Sequence, residues 1–66
     1  MRLVVNGEDR DMADGATVGA LVAELARSPK GMAVAVNAEV VPRSRWDAVP
    51  LRAGDRIEVL SAAQGG

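Results

Sequence analysis

Residues 17–36 read TVGALVAELARSPKGMAVAV, and the hydrophobic period changes inside that stretch. Val18, Leu21, Val22 and Leu25 fall at i, i+3, i+4 and i+7, one apolar stripe of an amphipathic helix, with Glu24 and Arg27 facing water. Thr17 stands where its hydroxyl can cap that helix, although Ala20 at the third helical position denies it a full capping box. Ser28-Pro29-Lys30-Gly31 stops the helix, for which about ten residues are expected. Met32 to Val36 is an unbroken apolar run, too short for a helix and suited to a buried central strand. With Val34 and Val36 facing the helix, alternation of side chains turns Ala33 and Ala35 to the opposite face.

Working outward toward the N-terminus, Arg2 to Val5 is a short run with β-branched residues followed by Asn6-Gly7, the dipeptide that best tolerates the positive φ angles of a two-residue hairpin turn. The return segment, Glu8 to Ala13, is dense in charge, so it reads as an edge strand protected from pairing with other chains, with Met12 as its inward residue. Asp14-Gly15 ends it. Toward the C-terminus, Val40-Val41-Pro42 is a short strand cut off by a proline, which cannot donate to a ladder and belongs at an edge. Arg43 to Pro50 is expected to be irregular. Ala53-Gly54-Asp55 is a turn into Arg56-Ile57-Glu58-Val59-Leu60, an alternating strand with Ile57 and Val59 on one face.

The order is therefore β-β-α-β-β-β: an α+β fold, with one main helix crossing one face of a mixed sheet. This is the layout of the ubiquitin-like β-grasp, in which the first and last strands lie side by side in the middle of the sheet. Residues 1–60 form that single domain, and residues 61–66 are expected to project as a flexible tail ending in Gly65-Gly66.

Composition narrows the function. A chain of 66 residues buries only about 60% of its unfolded surface, so no deep catalytic cleft is expected. Cysteine and histidine are both absent, which removes disulfides, thiolate chemistry, the commonest general base and the commonest metal ligand. An enzyme is not expected, and a reducing compartment, the cytoplasm, fits a chain without cysteine. A formal net charge of −1 speaks against a nucleic-acid partner, and no apolar run approaches a membrane span. The carboxylates that could be misread as paired for acid–base or metal chemistry, Asp9 with Asp11 and also Glu39 and Glu58, lie at polar or outward positions with no further ligand converging on them.

The chemistry instead points to the end of the chain. Two residues without Cβ let a backbone pass through a channel too narrow for other side chains. Six extended residues span at most about 20 Å, enough to carry a carboxylate from the domain surface into a partner's buried site. A carboxylate with a reference pKa near 3.5 is ionised at neutral pH and is a poor electrophile, so a partner has to activate it; transfer of AMP from ATP would do so. No phosphate-binding loop is present in the chain itself.

Several segments together carry a family resemblance. Val5-Asn6-Gly7-Glu8, Thr17-Val18, Ala33-Val34-Ala35-Val36-Asn37, Val40-Val41-Pro42-Arg43-Ser44 with Trp46, Gly54-Asp55-Arg56-Ile57-Glu58-Val59 and Gln64-Gly65-Gly66 resemble the ThiS-type sulfur carriers of thiamine biosynthesis. The Val-Pro-Arg-Ser-x-Trp run and the Gln-Gly-Gly ending are the more specific parts; Ala63 departs from the bulkier aliphatic residue frequent there in the family. The resemblance implies that an E1-like adenylating enzyme (ThiF-type) converts the Gly66 carboxylate to an acyl-adenylate. A sulfur donor such as a cysteine desulfurase then makes the thiocarboxylate, and thiazole synthase (ThiG-type) takes the sulfur. It implies that Gly65 gives access, that Gln64 and Ala63 lie in the partner's channel, that ATP is used by the partner, and that no cofactor is bound. The free chain is expected to be monomeric.

Three other readings share some of these features. A molybdopterin carrier of the MoaD type, or a carrier feeding cysteine synthesis, would share the Gly-Gly tail. A conjugating modifier would leave Gly66 in isopeptide linkage. A TGS-like interaction module would share the Gly54-Asp55 turn without needing a free Gly65-Gly66 end. Val4, Ala33, Ala35 and Leu60 on the uncovered sheet face, together with Arg43, are the candidate docking surface for partners. Trp46 reads as an apolar plug at the sheet margin, with a partner anchor as the alternative.

Overall fold

The structure is a computed structural model that describes residues 1–28 and 30–61. It opens with a hairpin of β1 (Arg2–Val5) and β2 (Glu8–Asp11), whose register runs from Arg2 opposite Asp11 to Val5 opposite Glu8. The turn between them has positive φ at both central residues, 52° at Asn6 and 83° at Gly7. That handedness matches the twist of the two strands. β2 is an edge strand, and its two aspartates are engaged: Arg2 Nε donates to Asp11 Oδ1 at 2.7 Å, and Arg2 Nη1 reaches Asp9 Oδ2 at 3.5 Å.

The hydrogen bond from Arg2, and then its charge, hold the Asp11 carboxyl below its ordinary pKa. A depressed carboxyl pKa contributes stability that is present above the unfolded-state value and is lost as pH falls through the folded value. Because the pair lies in solvent, the contribution is small. In an NMR pH titration, Arg2→Gln is expected to move the Asp11 midpoint back up toward that of a free aspartate. An unmoved midpoint would mean that the ion pair does not form in solution.

Helix α1 (Val18–Leu25) begins where the sequence places it, with the Ala20 N–H donating to Thr17 Oγ1 at 3.2 Å. Val18, Leu21 and Val22 are buried, whereas Leu25 is 37% exposed. The helix ends before Ser28, with Ala26 already extended at φ −148°. The next positions of the stripe after Leu25 are Ser28 and Pro29, so another turn would bury nothing apolar.

β3 (Met32–Val36), β4 (Glu39–Val41) and β5 (Arg56–Ser61) complete a five-stranded sheet of order β2-β1-β5-β3-β4. β1 and β5 are parallel neighbours in the centre, and β5 runs antiparallel to β3. Period-two alternation divides the faces. Leu3, Val5, Val34, Ile57 and Val59 point under the helix and are buried with Met12, Val18, Leu21 and Val22. At the start of β5, Asn37, with φ 51°, accepts from the Arg56 N–H through Oδ1 at 3.0 Å, and its own N–H donates to Arg56 O at 2.7 Å.

The expectation of an irregular segment after β4 is corrected. Arg43–Ala48 forms a 3-10 helix. Its short pitch turns Trp46 inward, where the indole is 5% exposed and its Nε1–H donates to Val41 O at 2.9 Å. With its one polar group satisfied, a ring of this size contributes on the order of 200 Å² of burial, so Trp46 is the plug and not an exposed anchor. A single buried residue in a two-turn helix leaves no periodicity in the sequence. The chain then straps across the start of α1, with Val18 N–H donating to Val49 O at 3.0 Å and Leu51 N–H to Ala16 O at 2.8 Å. Leu51 is thereby buried. Gly19 faces the 3-10 helix so closely that a Cβ there would collide with the Asp47 carboxylate.

Candidate functional site

β5 is the element that carries the chain toward Gly66, and it is held in the centre of the sheet between β1 and β3. Ser61, the last described residue, is paired with Met32. Ala63, Gln64, Gly65 and Gly66, the residues expected to thread a partner site and carry the reactive carboxylate, lie outside the described residues.

The sheet face away from α1 bears the residues expected to dock partners, and the register decides which of them meet. Leu60 lies opposite Ala33, and Ala35 lies between Glu58 on β5 and Val40 on β4. Leu60 is 68% exposed and Val40 is 72% exposed. The apolar area is therefore Leu60, Ala33, Ala35 and Val40, crossed by the Glu58 carboxylate. Val40 was missing from the expected set because a run of two valines does not say which one turns outward.

Val4 shares this face but not this company. It is half-buried, lies opposite Asp9 and Arg56, and so sits among charges at the far end of β5 from Leu60. Arg43, the remaining residue of the expected docking surface, lies off this face. The 3-10 helix carries it to the helix side, where it lines a cleft of about 380 Å³ with Gly19, Ala23, Arg27 and Asp47.

Among the described residues there is no group of three or more acidic, histidine or cysteine side chains that could hold a metal. None of the described helices is long and apolar enough to cross a membrane. What the arrangement offers chemically is an apolar strip that ends beside the base of residues 62–66.

Residues 3–66 match the ThiS family, nearly the whole length. The chain belongs to the ThiS family. The sulfur carrier protein ThiS of Escherichia coli K12 is 32% identical over 66 residues, covering all of both chains. A thiazole synthase of Paramagnetospirillum magneticum is 39% identical over the full chain, which spans only 20% of that relative's length. The crystal structure of a thiamine biosynthesis protein (ThiS) from Geobacter metallireducens superposes with a TM-score of 0.84 at 32% identity, covering all of both chains. The mixed five-stranded sheet crossed by one helix is the ubiquitin-like β-grasp of that ThiS structure, with the chain order β-β-α-β-β-β and the central first and last strands expected from the sequence.

Proposed function

We propose that this chain is a sulfur carrier for thiamine biosynthesis, a protein cosubstrate whose cargo is held at Gly66. The single observation that carries the reading is the ThiS-family match through residue 66, which takes in Gln64-Gly65-Gly66. The Gly66 carboxylate is ionised near neutral pH and unreactive toward nucleophiles. An E1-like adenylating enzyme transfers AMP to it from ATP, releasing pyrophosphate. Hydrosulfide displaces AMP and leaves the thiocarboxylate directly; a persulfide carried by a cysteine desulfurase displaces AMP to give an acyl disulfide, whose S–S bond a thiol then cleaves, ending in a disulfide itself and releasing the thiocarboxylate.

The recipient in this reading is thiazole synthase. Its support is that a stretch of one such enzyme resembles this chain over 66 residues. Within one polypeptide a carrier meets its acceptor at high effective concentration. A separate carrier needs a docking surface, and the strip of Leu60, Ala33, Ala35 and Val40 supplies it. Gly65 leaves room in the channel, with Gln64 and Ala63 behind it. The cycle runs in the cytoplasm, where ATP and reduced sulfur are both at hand.

The test is intact mass spectrometry of the chain after incubation with ATP, the activating enzyme and a sulfur source. The expected gain equals the mass of sulfur less that of oxygen, located on the C-terminal peptide. An unchanged mass would refute the reading. For the docking strip, Leu60→Arg is expected to weaken binding to the activating enzyme at least about tenfold, since the charge would lose its water against an apolar partner. Calorimetric titration reads the affinity. Leu60 is exposed, so the melting temperature should hold. Equal affinities of the variant and the parent would take the strip out of the scheme.

A further inference from the structure

β5 outlasts its partner on one side. β1 ends at Val5, paired with Ile57, and the chain turns back at Asn6-Gly7, whereas β3 follows β5 as far as Ser61. Among the described residues, the β1 side of β5 therefore has no strand beside it from Glu58 to Ser61. The side chain of Asn6 occupies that place. Its Oδ1 accepts from the Val59 N–H at 2.8 Å and its Nδ2 donates to Val59 O at 3.2 Å. Its backbone N–H donates to Ile57 O at 2.9 Å. A carboxamide has the donor and acceptor of a peptide group. Here it makes the two bonds that the C=O of position 6 and the N–H of position 8 would have made to Val59 had β1 continued as a parallel strand. The left-handed conformation at Asn6, φ 52°, turns the side chain back along β5, and asparagine is among the few residues with a side chain that adopt it readily.

The geometry points to Asn6 as a positioning residue for the transfer reaction. Its carboxamide fixes Val59, two residues before Ser61, and so sets the base from which residues 62–66 continue into the activating enzyme. This role rests on the carrier reading. Asn6 touches none of the reacting atoms. Without the clamp, the last residues of β5 are held from one side only, and their ordering is deferred to the moment of binding. The cost falls on association and not on chemistry.

The test is steady-state pyrophosphate release by an E1-like adenylating enzyme with the whole chain as varied substrate. Asn6→Gly keeps the positive φ and removes the clamp. Asn6→Asp keeps the turn and the acceptor but, ionised, has no donor for Val59 O. Asn37→Gly removes the comparable bracket at the opposite end of β5, beside Arg56, and controls for a general loss of sheet stability. Both Asn6 variants are expected to raise KM about fivefold with kcat within about twofold of the parent. The Asn37 variant should leave KM unchanged. Hydrogen exchange read by NMR should show the Val59 amide exchanging about tenfold faster in Asn6→Gly, whereas Asn6→Asp keeps an acceptor for that amide and should leave it protected. Parental KM in both Asn6 variants, an equal rise with Asn37→Gly, or an unaltered Val59 amide in Asn6→Gly would overturn the role. A parent chain that releases no pyrophosphate would remove the carrier reading instead, and this role with it.

Discussion

Deleting Gly65 and Gly66 is expected to abolish sulfur loading while leaving the domain folded. The deletion draws the terminal carboxylate back by two residues, roughly 7 Å of extended chain, and places the Gln64 side chain where the channel has to be narrow. A displacement of about 1 Å at a reacting centre can cost on the order of 100-fold, so the remaining rate should be below about one thousandth of the parent's. The core residues run from Leu3 to Val59, and none of them is touched. The melting temperature should hold within about a degree, because changes distant from buried groups usually cost little. Intact mass and thermal denaturation of the same sample read both outcomes. Full loading of the truncated chain would sink the carrier mechanism, and a plain binding module would keep its partner through the deletion.

The largest effect on stability is expected at Ile57. It is 1% exposed, it sits on the central strand, and it lies opposite Val5 on one side and Val36 on the other. Ile57→Ala removes buried methylenes and leaves a cavity that two neighbouring strands cannot both close, at a cost of about 2–5 kcal/mol. The whole domain, at 66 residues, is worth roughly 3–10 kcal/mol. The urea midpoint should therefore fall by about half with little change in the slope, and at the weaker end of the range the variant would be partly unfolded in buffer. A loss below about 1 kcal/mol would contradict the packing of β5 under α1.

The elements that declare themselves locally were legible. Asn6-Gly7 specified a tight hairpin, the stripe from Val18 to Leu25 specified the face of α1, and the alternation from Arg56 to Leu60 specified the inward side of β5. The place of β1 beside β5 followed from the β-grasp layout that the order of the elements matches. Parts that depend on where the chain is carried in space were not legible. The turn at Asn37 and Ala38 has φ of 51° and 70°, and alanine gives no sign of a left-handed position. That turn sets the register of β4, and with it which of Val40 and Val41 faces outward. The 3-10 helix hides for a related reason: only Trp46 in it is buried, so its geometry shows through a single contact. Arg43 reads as docking from its place in a basic cluster with Pro42 and Arg45, but the first turn of that helix brings it beside α1. Leu51 is in the core because the strap across α1 puts it there, and an isolated leucine between a proline and an arginine carries no pattern of its own.

The placement of β5 has a consequence for biosynthesis. The last of the described strands is the one both β1 and β3 need as a neighbour, so this domain cannot settle into its native state until translation has passed Ser61. Contacts spanning nearly the whole domain form late and together. A nascent chain that stops short of β5 lacks the middle of its sheet and stays open to proteases.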